Sequence, residues 1–292
     1  MAQQWSGQTG GTYGMQKALV GIFRYVDVRV MYVVMHLWLI WYIIVRPYAT
    51  KAIYRYHRRW GRSRWASIWA TYGSFYTFGE AIVDRFAVYA GRHFDYQVDN
   101  SELFYGRANQ PEGFILMFSH VGNSEMAAYS LSTPDKRMNI LAYGGESPVV
   151  MEQRAKVLQR NNMGMITVYP NDMSHIYRIN EVLQNGEVLA IAGDRKMAQN
   201  DKTITCTILG GEAQLPAGPF VLSASLRRPV VLCFVIKEKW NKYHIHTEQL
   251  TVNTTLPRHE RPQDLARQYA EHIERMAREY PYQWFNFYDF WG

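Results

Sequence analysis

The sequence predicts an α/β fold, in which a mixed, mainly parallel sheet is flanked by helices and preceded by a membrane-associated N-terminal helix. From about Phe94 onward, short apolar runs alternate with helical stretches. Hydrophobic residues make up 48% of the 292 residues and charged residues 20%, which suffices for a large core. A long apolar run precedes this region. We therefore divide the chain into an N-terminal anchor, residues 1–92, and a globular domain, residues 93–292.

The apolar run over residues 30–45 predicts one helix, interrupted only by His36. A helix of this length measures about 24 Å, whereas a membrane-spanning helix usually needs about 20 residues. Extension back to Val26, with the Arg29 side chain reaching toward the headgroups, brings it to that length. Spanning the membrane and lying half-immersed in it both remain open. Three aromatic residues suit a membrane interface, namely Trp38, Trp41 and Tyr42.

The basic excess of the chain lies entirely in the anchor. Residues 1–92 contain 12 Lys/Arg and 3 Asp/Glu, whereas residues 93–292 contain 20 and 22. After Arg46-Pro47, basic residues are interleaved with Trp60, Trp65 and Trp69, which indicates an interfacial segment rather than an ordinary solvated helix. Positive charge beside an apolar helix predicts an anionic membrane surface or an acidic protein as partner. No nucleic-acid-binding motif accompanies this charge, so nucleic acid is not predicted.

The sequence of the globular domain predicts seven strands and five helices in alternation. The strands are residues 113–118, 139–143, 165–168, 188–192, 203–209, 230–237 and 243–247. The helices are residues 126–131, 148–160, 173–185, 219–226 and 261–279. Residues 1–16 are expected to be extended and carry no cleavable signal sequence. Dinucleotide-binding, P-loop, zinc-protease and nucleophile-elbow motifs are absent from the sequence.

The first candidate site follows the strand at residues 113–118. His120 leaves this strand, and Glu125 lies five positions later at the start of a helix. An imidazole can act as a general base, and a carboxylate can hold the ring and stabilise the imidazolium that forms. Gly122 gives the backbone freedom to bring the two side chains together. On spacing alone, the alternative is a turn histidine that is satisfied by a nearby carboxylate.

Two further features lie at element ends. Asp194 and Arg195 follow the strand at residues 188–192, and side chains just past parallel strands line the ligand crevice of α/β sheets. We therefore expect them to share one cleft with His120, the alternative being a surface turn with a local salt bridge. Residues 215–220, which include Gly218, open a helix whose free N–H groups can receive an oxyanion. The alternative there is an ordinary helix start.

The remaining candidates favour structural roles. Cys206 and Cys233 lie in apolar, strand-like runs, so we expect buried free thiols and neither a disulfide framework nor a cysteine zinc site. His244 and His246 share one face of a strand. The sequence offers no third ligand beside them, and we expect solvent-exposed strand residues rather than metal ligands.

Taken in order, these features resemble the late acyltransferases of lipid A biosynthesis, a branch of the lysophospholipid acyltransferase superfamily. The resemblance rests on the His-x4-Glu motif, the Asp-Arg pair after a strand, the Pro-Ala-Gly-Pro-Phe helix start and the N-terminal apolar helix. It also draws on residues 5–11, 174–181 and 283–288. It implies a glycerolipid acyltransferase-like fold, which makes residues 93–292 an acyltransferase catalytic domain, and a location at the bacterial inner membrane facing the cytoplasm.

Carried over residue by residue, the resemblance makes His120 the general base and Glu125 its orienting partner. It assigns substrate binding to Asn123, Asp194, Arg195 and Gly218. The donor is an acyl thioester of acyl carrier protein or coenzyme A, and the acceptor is a lipid hydroxyl. The reaction passes through no acyl-enzyme and needs no metal or other cofactor.

Three functions remain open from the sequence. The first is a membrane-associated O-acyltransferase acting on a lipid A precursor or on another envelope or pigment lipid. The second is a thioesterase-type hydrolase that uses the same His/Glu pair with water. The third is a membrane-associated lipid binder without catalytic activity, which a buried His120 far from any cavity would favour.

Overall fold

The computed structural model describes residues 13–131, 133, 135–144, 151, 154–155, 158–169, 172–196, 202–288 and 290–291. The helices are α1 Tyr13–Phe23, α2 Val28–Val45, α3 Pro47–Arg59, α4 Arg64–Tyr89, α5 Ser101–Ala108, α6 Ala127–Ser130, α7 Ser174–Gln184, α8 Ala217–Leu226 and α9 Arg261–Glu279. The strands are β1 Asp95–Val98, β2 Phe114–Gly122, β3 Met138–Tyr143, β4 Met163–Val168, β5 Val188–Ala192, β6 Thr203–Ile208, β7 Gly211–Pro216, β8 Val230–Lys239 and β9 Lys242–Leu250. A short 3₁₀ helix, Ser124–Met126, precedes α6.

Seven strands form one mixed sheet in the order β1-β9-β8-β2-β5-β3-β4. Every neighbouring pair is parallel except β8 and β9, which are antiparallel. Strands β6 and β7 form a separate antiparallel pair. The predicted fold class, a mainly parallel sheet flanked by helices, is therefore confirmed.

Strand β2 lies at the centre of the sheet and is buried on both faces. Ile115 and Met117 pack into a core that includes Tyr269 and Ile273 of α9. Leu116 packs into a second core on the other face, to which the N-terminal helices contribute Phe23 and Tyr32 among others. Burial on both faces explains why β2 reads as a continuous apolar run rather than as an alternating one.

Most predicted elements are present, with shifts at their ends. β2 continues to Gly122, so His120 lies within the end of the strand, and the helix after it is a 3₁₀ turn followed by the short α6. The sequence reading missed α5, β1 and β7, which are only 8, 4 and 6 residues long, and α1, which begins at Tyr13 within the stretch expected to be extended. The predicted helix at residues 148–160 lies partly outside the described residues, and residues 5–11 lie wholly outside them.

The N-terminal helices pack onto the globular domain. Asp27 caps α2 by accepting a hydrogen bond from the Arg29 N–H, so the helix begins at Val28 and not at Val26. The Thr77 hydroxyl of α4 donates to the Tyr282 carbonyl, and the rings of Phe75 and Phe78 pack against Phe285 and Phe287 near the C-terminus. Asp84 forms a buried ion pair with Lys237 of β8. Contacts therefore cross the domain boundary that we placed after residue 92.

Candidate active site

A backbone irregularity at the end of β2 presents His120. Phe118 lies opposite Cys233 of β8, and Gly122 lies opposite Val235, so β2 holds two extra residues between these pairs. Gly122 has φ +78°, and a side chain there would collide with the Val235 carbonyl oxygen. Such irregularities redirect side chains and recur beside active sites. The glycine is therefore required by both its dihedral angle and its close contact.

Asp194 binds His120 through both of its carboxylate oxygens. Phe118 pairs with Ala192 of β5, so two residues further along each strand His120 and Asp194 lie side by side. Asp194 Oδ2 accepts the His120 backbone N–H at 2.6 Å, and Oδ1 lies 2.7 Å from His120 Nδ1. The prediction that Asp194 lies close to His120 is confirmed by this direct contact.

The charge of Asp194 fixes which ring nitrogen of His120 carries the proton. Burial alone would raise the pKa of Asp194, but His120, its two hydrogen bonds and Arg195 outweigh burial and lower it. An ionised carboxylate can only accept hydrogen bonds. His120 Nδ1 must therefore donate, and a neutral ring keeps its lone pair on Nε2.

The Nε2 side of the His120 ring faces outward. The side chain is 28% exposed, whereas that of Asp194 is 3% exposed. Within the described part of the chain, no residue forms a hydrogen bond with Nε2. A base with its orienting carboxylate buried behind it and its free nitrogen in front can take a proton from a bound hydroxyl or water.

Glu125 does not occupy the position that the sequence reading assigned to it, because Asp194 makes the orienting hydrogen bond. Glu125 instead lies 3.1 Å from Arg85 and 3.8 Å from Arg154, and it accepts a hydrogen bond from Tyr89 at 3.2 Å. Burial would raise the pKa of Glu125, but the two guanidinium groups and the Tyr89 hydroxyl lower it. The 3₁₀ turn after β2 places the carboxylate toward α4 rather than toward the imidazole.

The C-terminal segment, residues 283–288, closes over the end of β2, and sequence reasoning missed this role. Phe285 N–H donates to the His120 carbonyl at 2.9 Å, and Gly122 N–H donates to the Gln283 carbonyl at 2.7 Å. Tyr288 donates its hydroxyl to the Asp194 carbonyl at 2.8 Å. The segment thus fixes the backbone of both His120 and Asp194. Its density of aromatic residues was the signal available in the sequence.

The other predicted substrate-binding residues have different surroundings. Arg195 donates to the Phe285 carbonyl at 3.1 Å and neutralises Asp194 electrostatically, so it lies at the site. The Asn123 amide donates to the Ala81 carbonyl at 3.2 Å and to Tyr243 at 3.3 Å, which ties the turn to α4 and β9. Gly218 is exposed near the start of α8, and no described contact joins it to His120.

The helix start at α8 offers fewer free donors than the sequence suggested. The Ala217 N–H donates to the Lys202 carbonyl at 2.8 Å, and Pro219 has no N–H.

Cys206 and Cys233 are buried free thiols, as predicted. The expectation that His244 and His246 are solvent-exposed is wrong, since their side chains are only 12% and 16% exposed. They lie beside Asp99 because β1 pairs with β9.

A histidine held by a buried carboxylate at the carboxyl edge of an α/β sheet is the arrangement of enzymes that activate a hydroxyl or water nucleophile. The sequence model of bacterial lipid A biosynthesis acyltransferases matches residues 72–291, so the chain belongs to that family and is an acyltransferase. The comparison with curated proteins gives no match. The family match begins within α4 and covers the whole sheet.

Proposed function

We propose that this acyltransferase moves a fatty acyl group from a thioester of acyl carrier protein or coenzyme A to a hydroxyl of a lipid acceptor, a lipid A precursor. The observation that carries the proposal is the His120–Asp194 pair, with Nε2 free, in a chain of the lipid A acyltransferase family. His120 is the general base, and Asp194 positions the ring and stabilises the imidazolium.

The reaction balances with one base. His120 Nε2 takes the proton of the acceptor hydroxyl while the hydroxyl oxygen attacks the thioester carbonyl carbon. The new C–O bond forms, the C–S bond breaks, and the thiolate leaves with the proton that the imidazolium returns.

Glu125 acts in this proposal as a positioning residue for two arginines. It lies between Arg85 of α4 and Arg154, and it holds both guanidinium groups next to the turn that follows His120. Paired guanidinium groups bind phosphate or carboxylate groups through charge-assisted hydrogen bonds. Both a phosphorylated lipid acceptor and the phosphopantetheine arm of a thioester donor present such an anion.

The function is tested by lipid mass spectrometry of cells with and without the gene, combined with a transfer assay on the purified chain. We expect the lipid A of the deletion strain to be lighter by the mass of one acyl group. The assay offers acyl carrier protein and coenzyme A thioesters in parallel and measures transfer and free fatty acid. Free fatty acid without acylated lipid would identify a hydrolase, and an unchanged lipid A with another lipid shifted would reassign the acceptor.

We further propose that α2 attaches the enzyme to the cytoplasmic face of the inner membrane by lying in the lipid interface. It is long and apolar enough to cross a bilayer, and only 17% of its residues are buried. However, α4 holds it at points along most of its length. The contacts are Tyr32 with Asp84, Met35 with Gly79, His36 with Tyr72 and Tyr42 with Phe75.

Because α4 is itself bound to the sheet and to the C-terminal segment, a spanning α2 would draw the charged surface of the domain into hydrocarbon. An α2 that lies in the interface immerses only its outer face. That face carries exposed apolar side chains, among them Leu37, Trp38 and Trp41, and α3 ends in the exposed Arg58 and Arg59. Apolar and basic groups together suit an anionic lipid surface.

Replacing Leu37 and Trp41 together by glutamate is expected to weaken binding to anionic vesicles by about 100-fold or more, because each apolar side chain contributes roughly 1.5 kcal/mol or more when immersed. Flotation with phosphatidylglycerol vesicles measures the bound fraction. The matched control replaces Met173 and Tyr177 by glutamate as well. These two residues are an exposed apolar pair with the same spacing in sequence, but they lie on the globular domain. Equal losses in both double variants would reject the assigned face. A cysteine at exposed position 25 that reacts with a reagent confined to the periplasm would show that α2 spans.

A further inference from the structure

A cluster of metal-ligand side chains lies at the edge of the sheet, away from His120. His244 and His246 project from the same face of β9, and Asp99 follows β1, the strand that pairs with β9. One potential ligand atom from each of these residues lies within 4.8 Å of the other two. Glu238, near the end of β8, contacts His244.

The carboxylate of Asp99 bridges the two rings. Its Oδ1 lies 2.7 Å from His244 Nε2, and its Oδ2 lies 3.0 Å from His246 Nδ1. Despite the short distance, His244 Nε2 is buried and makes no hydrogen bond, so the oxygen lies off the axis of a ring N–H. Two potential ligand atoms thus lie close together without a well-aligned hydrogen bond between them, which a shared ion would explain.

Proton counting supports a cation between these groups. His244 Nδ1 forms a 2.8 Å hydrogen bond with Glu238, which fixes that nitrogen as the donor. A neutral His244 then presents its Nε2 lone pair to the Asp99 oxygen, and two acceptors repel at 2.7 Å. A metal ion between the two atoms removes this repulsion. The off-axis position of the Asp99 oxygen favours the metal ion.

We propose that Asp99, His244 and His246 bind one divalent transition-metal ion of the zinc class, with Glu238 orienting His244 from behind. Two imidazoles and one carboxylate with an open position form a common zinc donor set. A carboxylate behind a ligating histidine fixes its tautomer and raises its basicity. Ligand atoms around tetrahedral zinc are about 3.4 Å apart, so the two separations between histidine nitrogens and Asp99 oxygens need to open by less than roughly 1 Å.

The place of the site gives the ion a structural role. Asp99 belongs to the connection between β1 and α5, and the two histidines belong to β9, so the ion ties the edge strand to its neighbour. The Asp99 side chain is 43% exposed, which leaves a path for the ion from solvent. The site lies outside the proposed transfer chemistry, and its test does not depend on that chemistry.

The test measures Zn²⁺ binding to the full-length chain by competition with a chromogenic chelator, together with the visible absorption of the Co²⁺ form. We expect one tightly bound ion per chain, tetrahedral Co²⁺ absorption and a higher melting temperature with Zn²⁺. Glu238→Gln should lower the affinity about 10- to 100-fold. Asp99→Asn and His246→Gln should lower it further, because each removes a ligand or its charge.

His259→Gln is the matched control, since His259 is 82% exposed and lies far along the chain from the cluster. It should leave affinity, absorption and melting temperature unchanged. Circular dichroism of each metal-free variant establishes that it is folded before titration. Absence of stoichiometric Zn²⁺ binding by the unmodified chain would overturn the site. Binding that survives in both ligand variants would overturn it as well.

Discussion

Replacing His120 by alanine is expected to lower the rate of acyl transfer by about 10²–10⁴, the usual cost of losing a general base. The fold should remain, because the ring is partly exposed at a strand end and contributes little to either core. In this variant the Asp194 carboxylate still accepts the backbone N–H of residue 120 and still lies near the positive charge of Arg195, so it retains partners.

His120→Asn is the matched variant, since its amide nitrogen lies near the position of Nδ1 and can still donate to Asp194. It preserves the hydrogen bond and removes the base, so its rate should fall as far as that of the alanine variant. Transfer from thioester to lipid acceptor is measured beside thermal melting. Near-normal transfer by either folded variant would rule out His120 as the base.

The sequence allowed the proximity of His120 and Asp194 to be predicted because both follow buried parallel strands. Apolar runs buried on both faces are recognisable without alignment, and parallel neighbours bring their carboxyl ends to one edge. The hydrogen-bonding partner of His120 was predicted wrongly, because the sequence reading favoured the carboxylate that is nearest along the chain. Glu125 is nearer in sequence, but the turn after β2 carries it toward Arg85, and only the register of β2 on β5 brings Asp194 to the ring.

Features that depend on distant pairing escaped the sequence reading. Residues 283–288 have no strand pattern, yet Val121 forms a β-bridge with Trp284, and the backbone of His120 bonds to Phe285. Asp99 lies in a polar stretch whose strand was missed, so the third group beside His244 and His246 was invisible. The apolar length of α2 predicted a helix, but its attachment to α4 depends on side chains more than 30 positions away, such as Tyr72 for His36.

Asp194→Asn is expected to lower transfer by about 10³–10⁴ with little change in binding of either substrate. Asp194 accepts the His120 backbone N–H at Oδ2, so the asparagine must place its oxygen there and its amide nitrogen opposite Nδ1. The Nδ1 atom then accepts, and the ring proton moves to Nε2, where it blocks the base. The loss of a tautomer-fixing carboxylate has this cost in a serine-protease triad.

The double variant of His120→Ala and Asp194→Asn should be barely slower than His120→Ala alone, because residues that act as one unit are not additive. Glu125→Gln gives the contrast. It changes the positioning of the Arg85 and Arg154 guanidinium groups rather than that of the imidazole, so it should mainly raise KM. In the double variant its loss of activity should multiply with the loss caused by His120→Ala. Steady-state kinetics of the three single and two double variants separate these outcomes. If the losses multiplied for Asp194 and failed to multiply for Glu125, Glu125 and not Asp194 would be the working partner of His120.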